Sequence, residues 1–545
     1  MLFHSFPCVI IKSVNQQSQL SPLGRALIDS LQRIDTYETA ATARREKDTI
    51  HVPTVGSTVS TAYEQLRNAS EYAEDELLQQ RAIRRYLKRV LSFHVKASTT
   101  HLADELVTEL TQAEYLPNDY TTKADIRAIA KHINHAYDAY WKFAEEEARP
   151  SKRQAFQQYM LDILAVQCEQ VLQSHMRQLM FAHFAFTYLQ GKLTLKKLLR
   201  DHEKITANDF SLVLYTAIHR AILKSDSMTI RAALCSSYQI DSANTEEFYD
   251  FNQKLDDIFE ANTTAYTTRI VGRNGAALRF IYTGFFRNDA AVDIKTLTSP
   301  DTLEYALRTH IESEYIALDK RLDKGILRSI VFLLITKSIV GIAIEVPYDL
   351  FVHGAIVWLP LAINLLFPAV FIALTRLTLT IPNVRNTNAL INQITGMLFA
   401  DDRYKAYPIR LPKESSSVGF NIAYAAMFLL MFAGLSYILY LLQFNIVQGV
   451  IFFVFLSTAS FLAFRLSRQI HEIEVVHASQ GTISLLRDII YMPFIYVGQR
   501  ISYRYAQINI VANILDILIE LPLKTILRLI RQWTSFLNAK KDELI

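Results

Sequence analysis

Four long apolar runs dominate the second half of the chain. Each approaches the roughly 20 consecutive apolar residues that an α-helix needs to cross the hydrocarbon of a bilayer. They lie at residues 326–346, 354–375, 419–442 and 446–464. Because only short segments separate the first run from the second and the third from the fourth, the pattern predicts two transmembrane hairpins, over 326–375 and 419–466.

Residues 60–325 have the periodicity of helices rather than strands. Apolar side chains recur there every three or four residues, which places them on one helical face. Thr61 and Glu64 fit a capping box that begins a long helix. The pattern predicts helices over 61–96, 101–115, 123–148, 152–190, 193–202, 208–224, 229–238, 245–261 and 301–324. No alternating stretch of useful length predicts a strand, so we expect an all-α protein with a helical bundle ahead of its spans.

The remaining segments are less regular. Residues 1–59 lack sustained periodicity and are predicted to form a loosely ordered N-terminal arm, and residues 376–418 are predicted to be a loop. The tail, 467–545, contains two apolar stretches interrupted by charges. In the second stretch the charged residues recur every four positions along one helical face, as Asp516, Glu520, Lys524 and Arg528. We therefore predict amphipathic helices over 485–533, which either lie in the membrane surface or pack on the spans.

The basic residues predict an orientation, because short loops rich in Lys and Arg stay on the cytoplasmic side. Cations cluster before the first run, between the hairpins and after the last run. They are Lys320, Arg321, Lys324, Arg328, Arg376, Arg385, Arg403, Lys405, Arg410, Lys413, Arg465 and Arg468. The hairpin tips, 347–353 and 443–445, contain no Lys or Arg. Both termini, the 60–325 domain, the 376–418 loop and the 467–545 tail are therefore predicted to be cytoplasmic.

Composition narrows the class of protein. A net charge of +4 is too small to indicate nucleic-acid binding in a chain whose topology already requires basic loops. Cys8, Cys168 and Cys235 are far apart and form no CxxC pair, so neither a disulfide framework nor a zinc site is predicted. We expect the lipid bilayer to be the principal partner.

Lys337 is the most informative candidate, because it lies near the middle of the first apolar run, where an ionisable group is costly and often functional. Glu345, two turns further on, and Asn364, in the second run, are its potential partners. Together they form a candidate intramembrane polar site. Alternatively, the Lys337 ammonium could extend to the membrane surface without a functional role.

Other constellations are weaker candidates. His132, His135 and Asp138 could meet on one helix, but no further metal ligand is indicated. A cationic patch on the first long helix could bind lipid or an acidic partner, but a solvated helix face is the favoured interpretation; the patch comprises Arg81, Arg84, Arg85, Lys88 and Arg89. No catalytic or cofactor-binding motif is found.

The C-terminal third resembles a known family. The run 485–499, the run 514–531 with its Ile-Glu-Leu-Pro-Leu-Lys-Thr-Ile core, and Trp533 are similar to the end of an uncharacterised family of multi-pass membrane proteins from candidate-phyla bacteria. The resemblance implies a bacterial inner-membrane location. It implies no activity and no functional residues.

Two classes of function follow. The first is a non-enzymatic, membrane-anchored interaction or scaffold protein without a cofactor, whose cytoplasmic domain binds protein partners or a second copy of the chain. The second is a small transporter or channel subunit that uses the polar groups of the first hairpin.

Overall fold

The structure, a computed structural model, is all-α as predicted. Apart from a few single residues, it describes residues 20–45, 48–53, 75–193, 209–400, 418–476 and 482–507. The chain divides into two compact units. The described part of unit 1 lies mainly before Gly272, and that of unit 2 comprises Arg273–Phe285 and 289–507.

Unit 1 is a helical bundle with an aromatic core. Tyr137, Phe156 and Phe248 are fully buried at its centre, and the ring centroids of Phe156 and Phe248 are 5.1 Å apart. Its helices are α1 Pro22–Arg45, α2 Asp75–Val90, α3 Leu102–Gln112, α4 Lys123–Glu146, α5 Pro150–Leu172, α6 Met176–Gln190, α7 Phe210–Ile218, α8 Ser227–Ser237, α9 Thr245–Glu260 and α10 Asn262–Asn274.

The N-terminal arm is a correction to the sequence prediction. Residues 22–45 are not loosely ordered but form α1, which packs against α6. Leu27, Leu31 and Ile34 are buried along it. Their spacing of four and three is helical, but it covers only two turns. Isolated helices are marginal in water, so α1 depends on this tertiary packing.

Two predicted helices also differ from those observed. The stretch 152–190 is two helices, α5 and α6, interrupted at residues 173–175. The helix predicted over 61–96 ends earlier, at Val90, and residues 62–74 of it lie outside the described residues.

Unit 2 contains the apolar helices. Its helices are α11 Ala276–Ile281, α12 Pro300–Val340, α13 Val346–His353, α14 Trp358–Thr378, α15 Val384–Leu398, α16 Val418–Leu441, α17 Ile446–His471 and α18 Thr482–Gln507. A π-turn, Gly341–Glu345, joins α12 to α13. Four stretches are long and apolar enough to cross a membrane, namely Pro300–Val352, Trp358–Thr378, Ile422–Leu441 and Ile446–His471.

Three boundaries in unit 2 depart from the prediction. The domain boundary predicted at residue 325 falls inside α12. This helix begins 25 residues earlier, at Pro300, and Ser299 caps it. The loop predicted over 376–418 contains α15, with Leu390, Ile394 and Leu398 buried. Residues 347–353, predicted as a hairpin tip, are the helix α13, and the chain turns after it at Gly354, where φ is 66°.

The tail helix α18 packs on the apolar helices. Gly498 lies so close to α17 that a Cβ atom there would be 2.0 Å from the carbonyl oxygen of Ser457. Phe494 joins a buried cluster with Phe452 and Leu456. Of the two arrangements predicted for this part of the tail, the structure therefore has the packed one. Residues 508–533 lie outside the described residues, apart from two isolated positions.

Candidate intramembrane polar site

Lys337 and Glu345 form a buried ion pair. The Lys337 Nζ atom lies 2.6 Å from Glu345 Oε1, and the two side chains are 2% and 0% exposed. In a regular α-helix each residue advances about 100°, so a residue eight positions on would lie about 80° away around the axis. The π-turn Gly341–Glu345 accommodates one extra residue and returns Glu345 to the face of Lys337.

Asn364 on α14 completes the partners of Glu345. Its Nδ2 atom donates to Glu345 Oε2 at 2.9 Å and to the carbonyl oxygen of Gln448 at 3.3 Å. Each carboxylate oxygen of Glu345 thus accepts one hydrogen bond. The three residues predicted from the sequence meet at one place, and Asn364 connects them to α17.

A second carboxylate, Asp349, lies one turn beyond Glu345 and is also fully buried. Asn445 Nδ2 donates to its Oδ1 at 2.9 Å, and Gln448 Nε2 lies 3.2 and 3.0 Å from its two oxygens. The backbone N–H of Val357 donates to Oδ2 at 3.4 Å. Asp349 therefore connects the first hairpin to the start of the second hairpin's last helix.

The start of α17 determines how these amides point. Asn445 and Gln448 form a capping box: Asn445 Oδ1 accepts from the Gln448 backbone N–H, and Gln448 Oε1 accepts from the Asn445 backbone N–H. With both oxygens engaged by backbone donors, both NH₂ groups are left to face Asp349. The partial positive charge of the helix N-terminus favours a carboxylate there.

These six residues, Lys337, Glu345, Asp349, Asn364, Asn445 and Gln448, are called the polar cluster below. The ammonium of Lys337 is neutralised by Glu345 and also lies 4.7 Å from the centroid of the Phe455 ring. Asp349 is stabilised by neutral donors and a helix N-terminus. Such satisfied groups can remain charged in an apolar environment, and they hold α12, α13, α14 and α17 together.

Sequence reasoning found half of the polar cluster. Asp349 falls within the predicted hairpin tip, 347–353, and the candidate site predicted from the sequence did not include it, Asn445 or Gln448. The Asn445-x-x-Gln448 spacing directly before an apolar run is a sequence pattern of a capping box, and it could have revealed the start of α17. The spacing could not show that Asn445 and Gln448 bind Asp349, which lies 96 residues before Asn445.

The other candidates have different surroundings. His135 bonds to Asp241 at 2.6 Å and Asp138 to Lys96 at 2.7 Å, so these side chains are separately engaged. No group of three or more His, Cys, Asp or Glu residues in the described part of the chain could hold a metal ion.

The cationic patch on α2 is partly neutralised within unit 1. Arg84 pairs with Asp162 and Arg89 with Glu109, each at 2.5 Å. At least these two cations serve contacts inside the bundle rather than a free binding face.

No protein-family model, curated protein or solved structure matches this chain. The class that its fold defines is a helical protein with four helices able to span a membrane. The family resemblance of the C-terminal third remains a prediction.

Proposed function

We propose that the protein is a non-enzymatic, membrane-anchored interaction protein. Unit 1 presents the binding surface for protein partners, and the apolar helices of unit 2 are the anchor. The observation that carries this proposal concerns the charged residues of the polar cluster: Lys337, Glu345 and Asp349 each form their hydrogen bonds with other protein groups.

Charged groups that are satisfied by protein partners favour an anchor over a transport site, for an energetic reason. A substrate or ion in transit must be bound by polar groups that exchange protein or water partners for the ligand. The Lys337–Glu345 pair would first have to separate, and breaking a buried ion pair costs about 3–5 kcal/mol. Groups satisfied by one another instead stabilise the packing of the hairpins.

The proposed location is a bacterial inner membrane with both termini in the cytoplasm. The location rests on the resemblance of the C-terminal third alone. The orientation rests on the distribution of Lys and Arg, which are absent from 347–353 and 443–445 and frequent on the opposite ends of the spans. A cysteine introduced at Gly354, where the first hairpin turns, should react in intact cells with a thiol reagent that does not cross the membrane. Cysteine at Asn388, on α15, should react only after lysis; the reverse pattern contradicts the proposed orientation.

A small transporter or channel subunit is the second candidate. The observation in its favour is the π-turn between Lys337 and Glu345, since π-turns occur frequently at functional sites. In addition, Asn364 Oδ1 is buried without a hydrogen-bond partner among the described residues, which leaves one acceptor in the polar cluster.

An anchor replacement separates the two. Residues 289–509 are exchanged for an unrelated four-span segment of the same orientation, and the chimera is tested for complementation of the phenotype of a gene deletion. An interaction protein should retain most of its function, because the anchor only places unit 1 at the membrane. A chimera that reaches the membrane at normal abundance but fails to complement would reject the proposal in favour of transport. The native chain with a matched affinity tag is the control.

A further inference from the structure

One face of α12 carries cations at one end and apolar side chains beyond them. Lys324 and Arg328 are exposed. Phe332, Ile335 and Ile339 follow, with 45%, 56% and 62% of their surface exposed. At about 100° per residue, these five side chains lie within an arc of about 80°. They are called the α12 stripe below.

The α12 stripe lies opposite the side of α12 that packs against the other apolar helices. Leu322, Ile326 and Leu333 are buried in a cluster with side chains of α14 and α17. On the helical wheel these three residues lie about 160–200° from Lys324. The stripe therefore faces away from the helices of its own unit, toward the lipid if α12 spans a membrane.

The charges of the α12 stripe are not balanced by nearby acids. Asp319 and Asp323 each lie 2.6 Å from the guanidinium of Arg376 on α14. No residue three or four positions from Lys324 or Arg328 is acidic. Among the residues that the structure describes, neither cation forms an ion pair, so both are available to an anion.

The length of the α12 stripe matches one leaflet of a bilayer. Arg328 and Ile339 are eleven residues apart, which corresponds to about 16 Å along the helix. Half of the roughly 30 Å hydrocarbon core is about 15 Å. A lipid whose phosphate contacts Arg328 would therefore have its acyl chain alongside Phe332, Ile335 and Ile339.

We propose that the α12 stripe binds an anionic phospholipid. Lys324 and Arg328 contact the phosphate and the remaining anionic headgroup, Arg through its planar fork and Lys as a point charge. The three apolar side chains contact one acyl chain. A zwitterionic lipid offers the same phosphate and chain, but its own ammonium opposes the two cations, so the site discriminates by headgroup charge.

The test is a lipid titration of the full-length protein in detergent, followed by native mass spectrometry. Phosphatidylglycerol should bind at lower concentration than phosphatidylcholine. Lys324→Gln combined with Arg328→Gln should weaken phosphatidylglycerol binding about 30-fold and abolish the preference, because each cation near an anionic surface contributes about 1 kcal/mol. Equal binding of the two lipids to the native protein would overturn the proposal.

Two matched variants address charge and folding. Lys295→Gln with Arg385→Gln removes two other exposed cations of unit 2 and should leave the preference unchanged. Lys324→Arg with Arg328→Lys keeps the charges and should retain the preference. If the first variant loses it equally, net charge and not the α12 stripe is responsible. If glycerol phosphate competes as well as the lipid, the acyl chain has no role, and a lipid site is excluded.

Discussion

Lys337 shows how an ionisable side chain is accommodated among apolar helices. Its partner lies eight residues along the same chain, and the pair is aligned by a single π-turn. Asn364 then holds the carboxylate from the neighbouring helix. The sequence indicated these three residues as potential partners because a charge in an apolar run is conspicuous, but no local pattern in the sequence marks the π-turn that aligns them.

Substituting Lys337 by Leu should destabilise unit 2 by about 3–5 kcal/mol, because the buried Glu345 carboxylate loses its cation. Adding Glu345→Gln should restore much of that loss, since a Gln oxygen still accepts from Asn364. The measurement is unfolding in detergent together with membrane abundance. Greater destabilisation in the double variant than in the single one would contradict the pairing.

His219 in unit 1 is a buried ionisable residue outside the spans, and it makes the stability of unit 1 depend on pH. Its ring is buried beside Tyr215, with Ser225 Oγ 3.0 Å from Nδ1. Burial lowers the pKa of His219 from 6.5 to about 3. The unfolded chain therefore binds a proton below pH 6.5 that the folded unit excludes, and stability falls as the pH drops from 6.5 toward 3.

We expect the burial of neutral His219 to lower the free energy of unfolding of unit 1 by about 1.4 kcal/mol for each pH unit below 6.5. His219→Gln should flatten the pH dependence of the free energy of unfolding, measured by denaturant titration at pH 7, 6 and 5. As a comparison, His135→Gln removes an exposed histidine on α4. An unchanged slope in His219→Gln would show that the imidazole is not buried in its neutral form.

At the scale of helices, α17 and α18 approach each other closely at a glycine, Gly498. Gly498 has no side chain, and the Ser457 carbonyl occupies the space that a Cβ would need. A tail helix with interrupting charges can therefore pack closely on a neighbour at one position. The amphipathic pattern in the sequence predicted the helix α18. Its contact with α17 depends on Gly498, and the sequence alone does not show which helix that glycine faces.

Gly498→Ala should weaken the packing of α18 on α17, because its Cβ would lie 2.0 Å from a backbone oxygen that cannot rotate away. Gly434→Ala on α16 is the matched control, since no atom of the described residues outside its own helix backbone lies within 4 Å of its Cβ position. The control should be neutral or stabilising by up to about 1 kcal/mol, from helix propensity alone. The measurement is the protease sensitivity of α18, which should increase in Gly498→Ala and not in Gly434→Ala. Equal resistance of the two variants would contradict the close approach of α18 to α17.

At the scale of the whole molecule, the boundary between the two compact units does not coincide with the change in hydrophobicity along the chain. Composition changes near residue 325, but the compact units separate near Gly272. The reason is that the first half of α12 packs with α15, which follows the first hairpin in the chain. Leu307 and Ile311 are buried on this half of α12.

A fragment of residues 20–274 should therefore fold as a soluble helical domain with one cooperative unfolding transition. A fragment of residues 60–325 should be less stable, because it lacks α1 and exposes the face of α12 that contacts α15. Circular dichroism during thermal unfolding measures both. Equal stability of the two fragments would refute the observed division.

The sequence by itself determined the all-α class, the four long apolar helices and three members of the polar cluster. These properties depend on periodicity, on run length and on a charge in an apolar run, all of which are local in the chain. Only the tertiary structure decided the place of α1, the division near Gly272 and the pairing of Asp349 with Asn445 and Gln448. Those features depend on contacts between residues 71 to 139 positions apart, whose partners local spacing does not specify.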